Sequence, residues 1–259
     1  MREHPIVAQL RTGEVCTGIF AMIGDPFTAE VLGSAGFDWV MVDMEHGPVP
    51  LETAAAMVTA LRTTPAAPFV RAAWNDPAQI QRALDLGCIG VLVPVVNDAA
   101  GARRAVLDAK FPPLGERSRG AVRPNLAFAT DAMSYFEQAN AQTLLIVQIE
   151  TAAAVEQADA ICAVEGVDGV FVGPNDLAAS TLQRWPDVWK TDAAYMDRIA
   201  RVARAARAAG KFAGFLARDA AMAKEVIALG YTFLGMASDA ALLLSGAAAA
   251  ARAIREAAQ

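Results

Sequence analysis

The chain has 259 residues, 55% of them hydrophobic and 19% charged, with a net charge of -6 and a pI near 5.0. That length and apolar content suit one large core of about the size of an α/β barrel, and the acidic balance with scattered arginines opposes general binding to nucleic acid or acidic membranes. Cys16, Cys88 and Cys162 show no CxxC spacing, which fits buried thiols in a reducing, cytoplasmic compartment better than disulfides or a zinc site.

The amino-terminal segment MREHPIVAQLRTGE has no uninterrupted apolar stretch of the leader kind, and no internal run approaches the ~18 apolar residues of a membrane helix. Beyond it, short β-branched runs alternate with longer Ala/Leu/charged segments, the pattern of βα units around a parallel sheet. In chain order the strand candidates are VCTGIFAMI, WVMVDME, APFVRAA, GVLVPVV, TLLIVQIE, GVFVGP, FAGFLA and TFLGMAS. Eight such units predict a single α/β domain over residues 1–259, a (β/α)8 TIM barrel. Asp25-Pro26, Asp76-Pro77 and Asp98 precede helical segments, where Asp accepts from an orphan amide and Pro removes another. Gly36, Gly87, Gly166, Gly210 and Gly230 fall where helices should stop.

One stretch, 111–142, is too long for an ordinary connection and carries Pro112, Pro113, Arg117, Arg119, Arg123 and Pro124. It is expected to shape a pocket or a subunit contact. The Ala-rich tail from Ala240 to Ala258 is interrupted by Ser245, Gly246, Arg252, Arg255 and Glu256 and predicts a packing helix.

Four of the strand-like runs end in residues able to do acid, base or metal chemistry: VMVDMEH at His46, APFVR at Arg71, LLIVQIE at Glu150 and GVFVGPND at Asp176. The carboxyl ends of barrel strands open onto one face, so these four converge on one pocket. Glu150 is the strongest metal-ligand candidate and shares a strand face with Gln148. Asp176 is either a helix cap or a second ligand. Two carboxylates without His or Cys favour a hard divalent cation such as Mg²⁺ or Mn²⁺ that keeps water or substrate oxygens.

His46 and His4 are the chain's two histidines, and the position of His46 after the second strand favours a general base. Arg71 is either a structural partner of Asp43 or Glu45, a donor to a developing oxyanion, or both. A Schiff-base mechanism finds no support, because Lys110, Lys190, Lys211 and Lys224 all fall on helices, loops or the opposite barrel face. The turn Gly173-Pro174-Asn175-Asp176 offers backbone N–H groups to a small carboxylate.

The runs FDWVMVDMEHGP, FVRAAW, VQIET, VDGVFVGPNDLAAS and GKFAGFLARDAAMAKEVIALG, in this order over nearly the whole chain, resemble the HpcH/HpaI family of class II pyruvate aldolases, the 4-hydroxy-2-oxoheptane-1,7-dioate aldolase group. The resemblance implies a homo-hexamer, a dimer of trimers, with carboxyl-terminal helices exchanged between neighbours. It implies that Glu150 and Asp176 hold Mg²⁺ or Mn²⁺, or else Co²⁺ or Zn²⁺, and that Gln148, Gly173, Pro174 and Asn175 bind pyruvate. Arg71 would stabilise the enolate, His46 would act as acid/base, Leu216 would line the rim, and Asp85 in ALDLG would pair with the histidine. Spacing alone points to Asp43 for that pairing, with Asp43 and Glu45 as supporting carboxylates.

Two motifs depart from the family pattern: Asn175 stands where Ala or Ser is usual, and Gly115-Glu116-Arg117-Ser118-Arg119-Gly120 replaces G-x-R-G. The expected reaction is metal-dependent cleavage of a 4-hydroxy-2-oxo acid to pyruvate and an aldehyde. Arg117, Arg119 and Arg123 are either solvated or readers of a distal carboxylate. Oxaloacetate decarboxylation and a non-catalytic keto-acid-binding barrel are the alternatives; a CoA-dependent lyase is disfavoured for want of an added domain.

Overall fold

The computed structural model describes residues 1–182 and 191–258. Eight parallel strands close into a barrel in sequence order: β1 (Cys16–Ala21), β2 (Trp39–Asp43), β3 (Ala67–Arg71), β4 (Gly90–Val93), β5 (Leu144–Ile149), β6 (Gly169–Val172), β7 (Phe212–Ala217) and β8 (Phe233–Ser238). All eight predicted strands are present, and the fold is the TIM barrel the sequence implies.

Helices cover the outside: α2 (Pro26–Gly33), α3 (Leu51–Leu61), α4 (Pro77–Asp85), α5 (Ala99–Ala109), α8 (Ala152–Glu156), α9 (Ala158–Cys162), α10 (Pro174–Leu182), α11 (Ala193–Ala208) and α12 (Ala220–Leu229). The other helices among the described residues are α1 (Pro5–Thr12), α6 (Arg123–Ala127), α7 (Ala132–Gln142) and α13 (Asp239–Ala257). Asp25, Asp76 and Asp98 each accept from amides of the helix they open, with Pro at the first turn after Asp25 and Asp76. Gly36, Gly87, Gly166, Gly210 and Gly230 all take positive φ, from 67° to 104°, the conformation for which glycine carries no Cβ penalty.

Period-two alternation sorts each strand into an inner and an outer face. On β2, Trp39 and Met41 point inward while Val40 and Val42 face the helices; on β5, Leu144 and Ile146 point inward while Leu145, Val147 and Ile149 face out. The barrel axis is filled by aromatic rings: Trp39 stacks on Phe233 at 4.1 Å, and Phe20, Phe69 and Phe171 pack edge-on or tilted around them. Gly18 makes room for this plug, since a Cβ there would meet the Trp39 ring at 1.9 Å. Continuing the same alternation places Asp43, Arg71, Gln148 and Glu150 on the inner face at the carboxyl ends.

The stretch 111–142 is not a pocket loop. It holds α6 and α7, and Phe111, Phe128 and Tyr135 join Ile6, Val7 and Leu10 of α1 in the core that closes the amino-terminal end of the barrel. Pro112-Pro113 is cis. Arg117 is buried there, bonded to Asp85 and Tyr135; Arg123 donates to Leu86 O, Ala55 O and Thr59; Arg119 lies over the Phe136 ring. The idea that these arginines read a substrate carboxylate is corrected accordingly: within the chain they stand at the floor, opposite the mouth.

The tail forms α13, but it packs on its own chain only near its start, against β1 and β8. Leu242, Leu243, Leu244 and Ile254 are exposed. Among the described residues no helix is long and apolar enough to cross a membrane. Cys16, Cys88 and Cys162 are all buried and free.

Candidate active site

Asp43 ends β2 directly opposite Arg71 at the end of β3 in the parallel register. Inward alternation brings both side chains to the axis, where the guanidinium meets the carboxylate side-on: Nε donates to Oδ1 at 2.9 Å and Nη2 to Oδ2 at 2.5 Å. Such a fork is the strongest pairing a carboxylate makes. Asp43 is wholly buried and its Oδ1 also accepts from the Glu45 and His46 amides, at 3.1 and 3.2 Å. One aspartate thus orients the arginine and the turn that carries the histidine. Asp43 reaches the His46 backbone and not its ring.

Glu45 Oε2 lies 3.0 Å from Arg71 Nη1, an ion pair whose alignment falls short of a hydrogen bond, and 3.8 Å from His46 Nε2. The imidazole itself is half-exposed at the mouth. Arg71 also lies over the Phe20 ring at 5.0 Å, on the apolar plug that forms the bottom of the cup.

On the facing side, β5 presents Gln148 and then Glu150. Gln148 Nε2 donates to Glu150 Oε2, and the Val95 amide donates to Oε1 at 2.8 Å. Gln148 Oε1 is buried without a partner, an acceptor left for whatever enters. Gly173, just after β6, lies so close that a Cβ there would come within 2.8 Å of Glu150 Oε2 and 2.9 Å of Gln148 Nε2. Glycine is required at this approach, because any side chain would collide with the glutamate. Asp176 stands in the first turn of α10, whose start is clamped by the Tyr195 hydroxyl donating to Pro174 O at 2.6 Å.

Asp43, His46, Arg71, Gln148, Gly173 to Asp176 and Leu216 line one cavity of about 360 Å³, with Met22, Ala237, Ser238 and Ala241 on the opposite wall, and Glu150 adjoins it through its bond to Gln148. Sequence reasoning missed Asp239, which is buried and accepts from the Met22, Ile23 and Ala240 amides at 2.7 to 2.9 Å. It ties the end of β1 to the start of α13 and so fixes that wall. Two of its partners, Met22 and Ile23, are more than two hundred positions away in the chain, and its local signal is no more than the Ser238-Asp239 helix start. Tyr195 was missed for the same reason.

Asp85 does not join this cavity within the chain. It ends α4 at the barrel floor, where Arg117 Nη2 donates to it at 2.8 Å. Of the lysines, Lys110 is buried at the floor on Asp168, and Lys211 and Lys224 lie off the cavity lining. Lys190 lies outside the described residues.

The electrostatics are lopsided. Asp43, Glu45, Glu150 and Asp176 share one mouth with the guanidinium of Arg71. Burial pushes the Glu45 carboxyl up to about 7; Arg71 opposes the shift, and Glu150, Asp43 and Asp176 add to it. Burial also raises Glu150, against the lowering effect of the Val95 and Gln148 hydrogen bonds. Among the described residues no three His, Cys, Asp or Glu side chains form a closed metal cage. Glu150 and Asp176 could therefore hold only an ion that accepts an open, oxygen-rich shell, and Mg²⁺ and Mn²⁺ are of that kind. The gathering of carboxylates around one end of the barrel fits such an ion.

A sequence profile described as HpcH/HpaI aldolase/citrate lyase matches residues 17–246. The chain is 37% identical over 237 residues to a hydroxypyruvate/pyruvate aldolase of Pseudomonas aeruginosa, covering 91% of this chain and 87% of that protein. It is 37% identical over 243 residues to a 4-hydroxy-2-oxo-heptane-1,7-dioate aldolase of Salmonella dublin, covering 93% and 91%. A crystal structure of a HpcH/HpaI aldolase/citrate lyase family protein from Burkholderia cenocepacia J2315 superposes with a TM-score of 0.88 at 31% identity, covering 97% of this chain and 99% of the other. Closed barrel, mouth and sequence agree: the chain belongs to the HpcH/HpaI aldolase/citrate lyase family of carbon–carbon lyases.

Proposed function

We propose that this chain is a divalent-metal-dependent class II aldolase that cleaves 4-hydroxy-2-oxo acids to pyruvate and an aldehyde, and runs the aldol addition in reverse. The observation that carries the reading is the gathering of two buried carboxylates, Asp43 and Glu150, with partly buried Glu45 and exposed Asp176 at a mouth that also presents an imidazole and a partly engaged guanidinium. A scaffold has no use for such an arrangement, whereas a lyase that gathers charge on a keto oxygen does.

Held by Glu150 and Asp176, Mg²⁺ or Mn²⁺ would supply Lewis-acid polarisation of the 2-oxo group. The start of α10, where Asn175 offers its backbone N–H beside Gly173 and Pro174, receives the substrate carboxylate, as helix N-termini receive anions. Gln148 orients the same end of the substrate. His46 takes the proton from the C4 hydroxyl as the C3–C4 bond breaks and the aldehyde leaves. The N–H groups of Arg71 not spent on Asp43 and Glu45 donate to the oxygen on which the enolate charge collects. A proton returned to C3 completes pyruvate. Leu216 and the Met22–Ala241 wall enclose the departing aldehyde.

The exposed apolar residues of α13 support its packing on a neighbouring copy, and a homo-hexamer built as a dimer of trimers is the assembly proposed. In it, Asp85 would meet His46 only across a subunit boundary. Light scattering of the purified protein measures that state directly.

The test of function is pyruvate release over a panel of 4-hydroxy-2-oxo acids and oxaloacetate, with and without added Mg²⁺ or Mn²⁺. Metal-dependent cleavage of hydroxy-oxo acids that falls sharply in His46→Ala is expected. Turnover of oxaloacetate alone would replace the reading with a decarboxylase, and binding without turnover would leave a keto-acid-binding barrel.

A further inference from the structure

After β4 the chain reads Val93-Pro94-Val95-Val96-Asn97, and Val95 takes φ 55°. The left-handed region brings Cβ against the backbone carbonyl; glycine, and to a lesser degree asparagine, visit it, while a β-branched residue there is an outlier. The conformation is held from both sides. Pro94 and Val96 are buried, the Val96 amide donates to Gln148 O at 3.3 Å, and the Asn97 side chain accepts from the Thr151 hydroxyl.

What the unusual backbone delivers is one hydrogen bond: its amide is the group that donates to Glu150 Oε1 at 2.8 Å. Gln148 Nε2 holds the other oxygen. With a donor on each oxygen the carboxylate plane is fixed, and each oxygen keeps lone-pair capacity directed elsewhere. Strained backbone of this kind persists where the surroundings over-determine it and gathers at functional sites.

We propose that Val95 is a positioning residue: its left-handed backbone, locked between Pro94 and Val96, aims an amide at Glu150 and so presets that carboxylate for a divalent cation. The inference rests on the reading of Glu150 and Asp176 as ligands and adds a residue that touches neither ion nor substrate. The use of valine and not glycine follows from the same logic. Glycine would reach φ 55° without strain, but it would also leave it freely, and the amide would wander.

The experiment is calorimetric titration of Mn²⁺ into metal-free wild type, Val95→Gly and Val95→Asn. Val95→Gly keeps the N–H but frees the torsion, and Mn²⁺ is expected to bind about fivefold more weakly. Val95→Asn discards the branched side chain yet tolerates the left-handed region, and Kd within about twofold of wild type is expected. Unchanged affinity in Val95→Gly overturns the positioning role alone. Equal weakening in Val95→Asn and Val95→Gly overturns it too, because the lost side chain and not the backbone would then be responsible. A wild type that takes up no Mn²⁺ removes the metal reading, and this inference with it.

Discussion

Both ends of this barrel bury charge, and they do so in opposite ways. At the floor Lys110 and Arg117 each have a carboxylate partner: Lys110 gives Nζ to Asp168, Thr143 O and Asn140 O at 2.7 to 3.2 Å, and Arg117 pairs with Asp85 and Tyr135. At the mouth, Asp43, Glu45, Glu150 and Asp176 act on the same region as the Arg71 guanidinium, Glu45 is held up near 7, and Gln148 Oε1 has no partner. At the floor each of these cations has a carboxylate of its own. At the mouth carboxylates outnumber the cation beside them, which fits a site that binds one.

Substitutions at the two ends should therefore fail differently. The largest effect is expected at Glu150→Gln or Asp176→Asn: pyruvate formation should fall by about a thousandfold, since the polarising ion is lost. The melting temperature of the metal-free protein should hold or rise, because a repelling charge has gone. A steady-state assay beside thermal unfolding checks both halves. Arg71→Ala should cost about a hundredfold in kcat and, unlike the ligand variants, also destabilise the fold by about 3 kcal/mol, because buried Asp43 is left without its partner. Denaturant titration gives the second figure.

Lys110→Met marks the other end of the comparison. It strands Asp168 and two backbone carbonyls, so a loss of about 3 kcal/mol is expected with kcat per folded molecule unchanged. An equal loss of kcat would erase the distinction between the two ends. The smallest effect is a pH dependence. The Glu45 carboxyl is raised in the folded state from 4.5 to about 7, so the folded protein holds its proton where the unfolded chain has released it. Metal-free wild type should therefore lose stability relative to Glu45→Gln as pH rises from about 5 to about 8, and the two should converge at the acid end. A melting-temperature gap that is constant across this range would contradict the assigned burial of Glu45.

Much of this was readable before any coordinates. The eight strands, the Asp caps and the left-handed glycines are signals carried within a few residues of chain. The convergence of His46, Arg71, Glu150 and Asp176 follows from period-two alternation once the strands are parallel, and the pairing of Asp43 with Arg71 is a matter of register. Contacts set by long-range packing were not readable. Asp239 reaches back across the whole chain to the end of β1, Asp85 turns to Arg117 at the floor, and 111–142 closes the bottom instead of shaping the pocket. Nothing in Val93-Pro94-Val95-Val96 announces a left-handed valine, because contacts that hold the segment, from Val96 to Gln148 O and from Thr151 to Asn97, come from a distant part of the chain.

The most direct measurement is pyruvate formation from a 4-hydroxy-2-oxo acid by exhaustively chelated protein, before and after Mn²⁺ is restored, with Glu150→Gln run alongside. Chelated wild type should be inactive and recover with the ion, while Glu150→Gln should stay inactive at the same Mn²⁺ concentration. Full turnover by the chelated protein, or full recovery of the variant, would contradict the claim that the carboxylates at the mouth exist to hold a working cation.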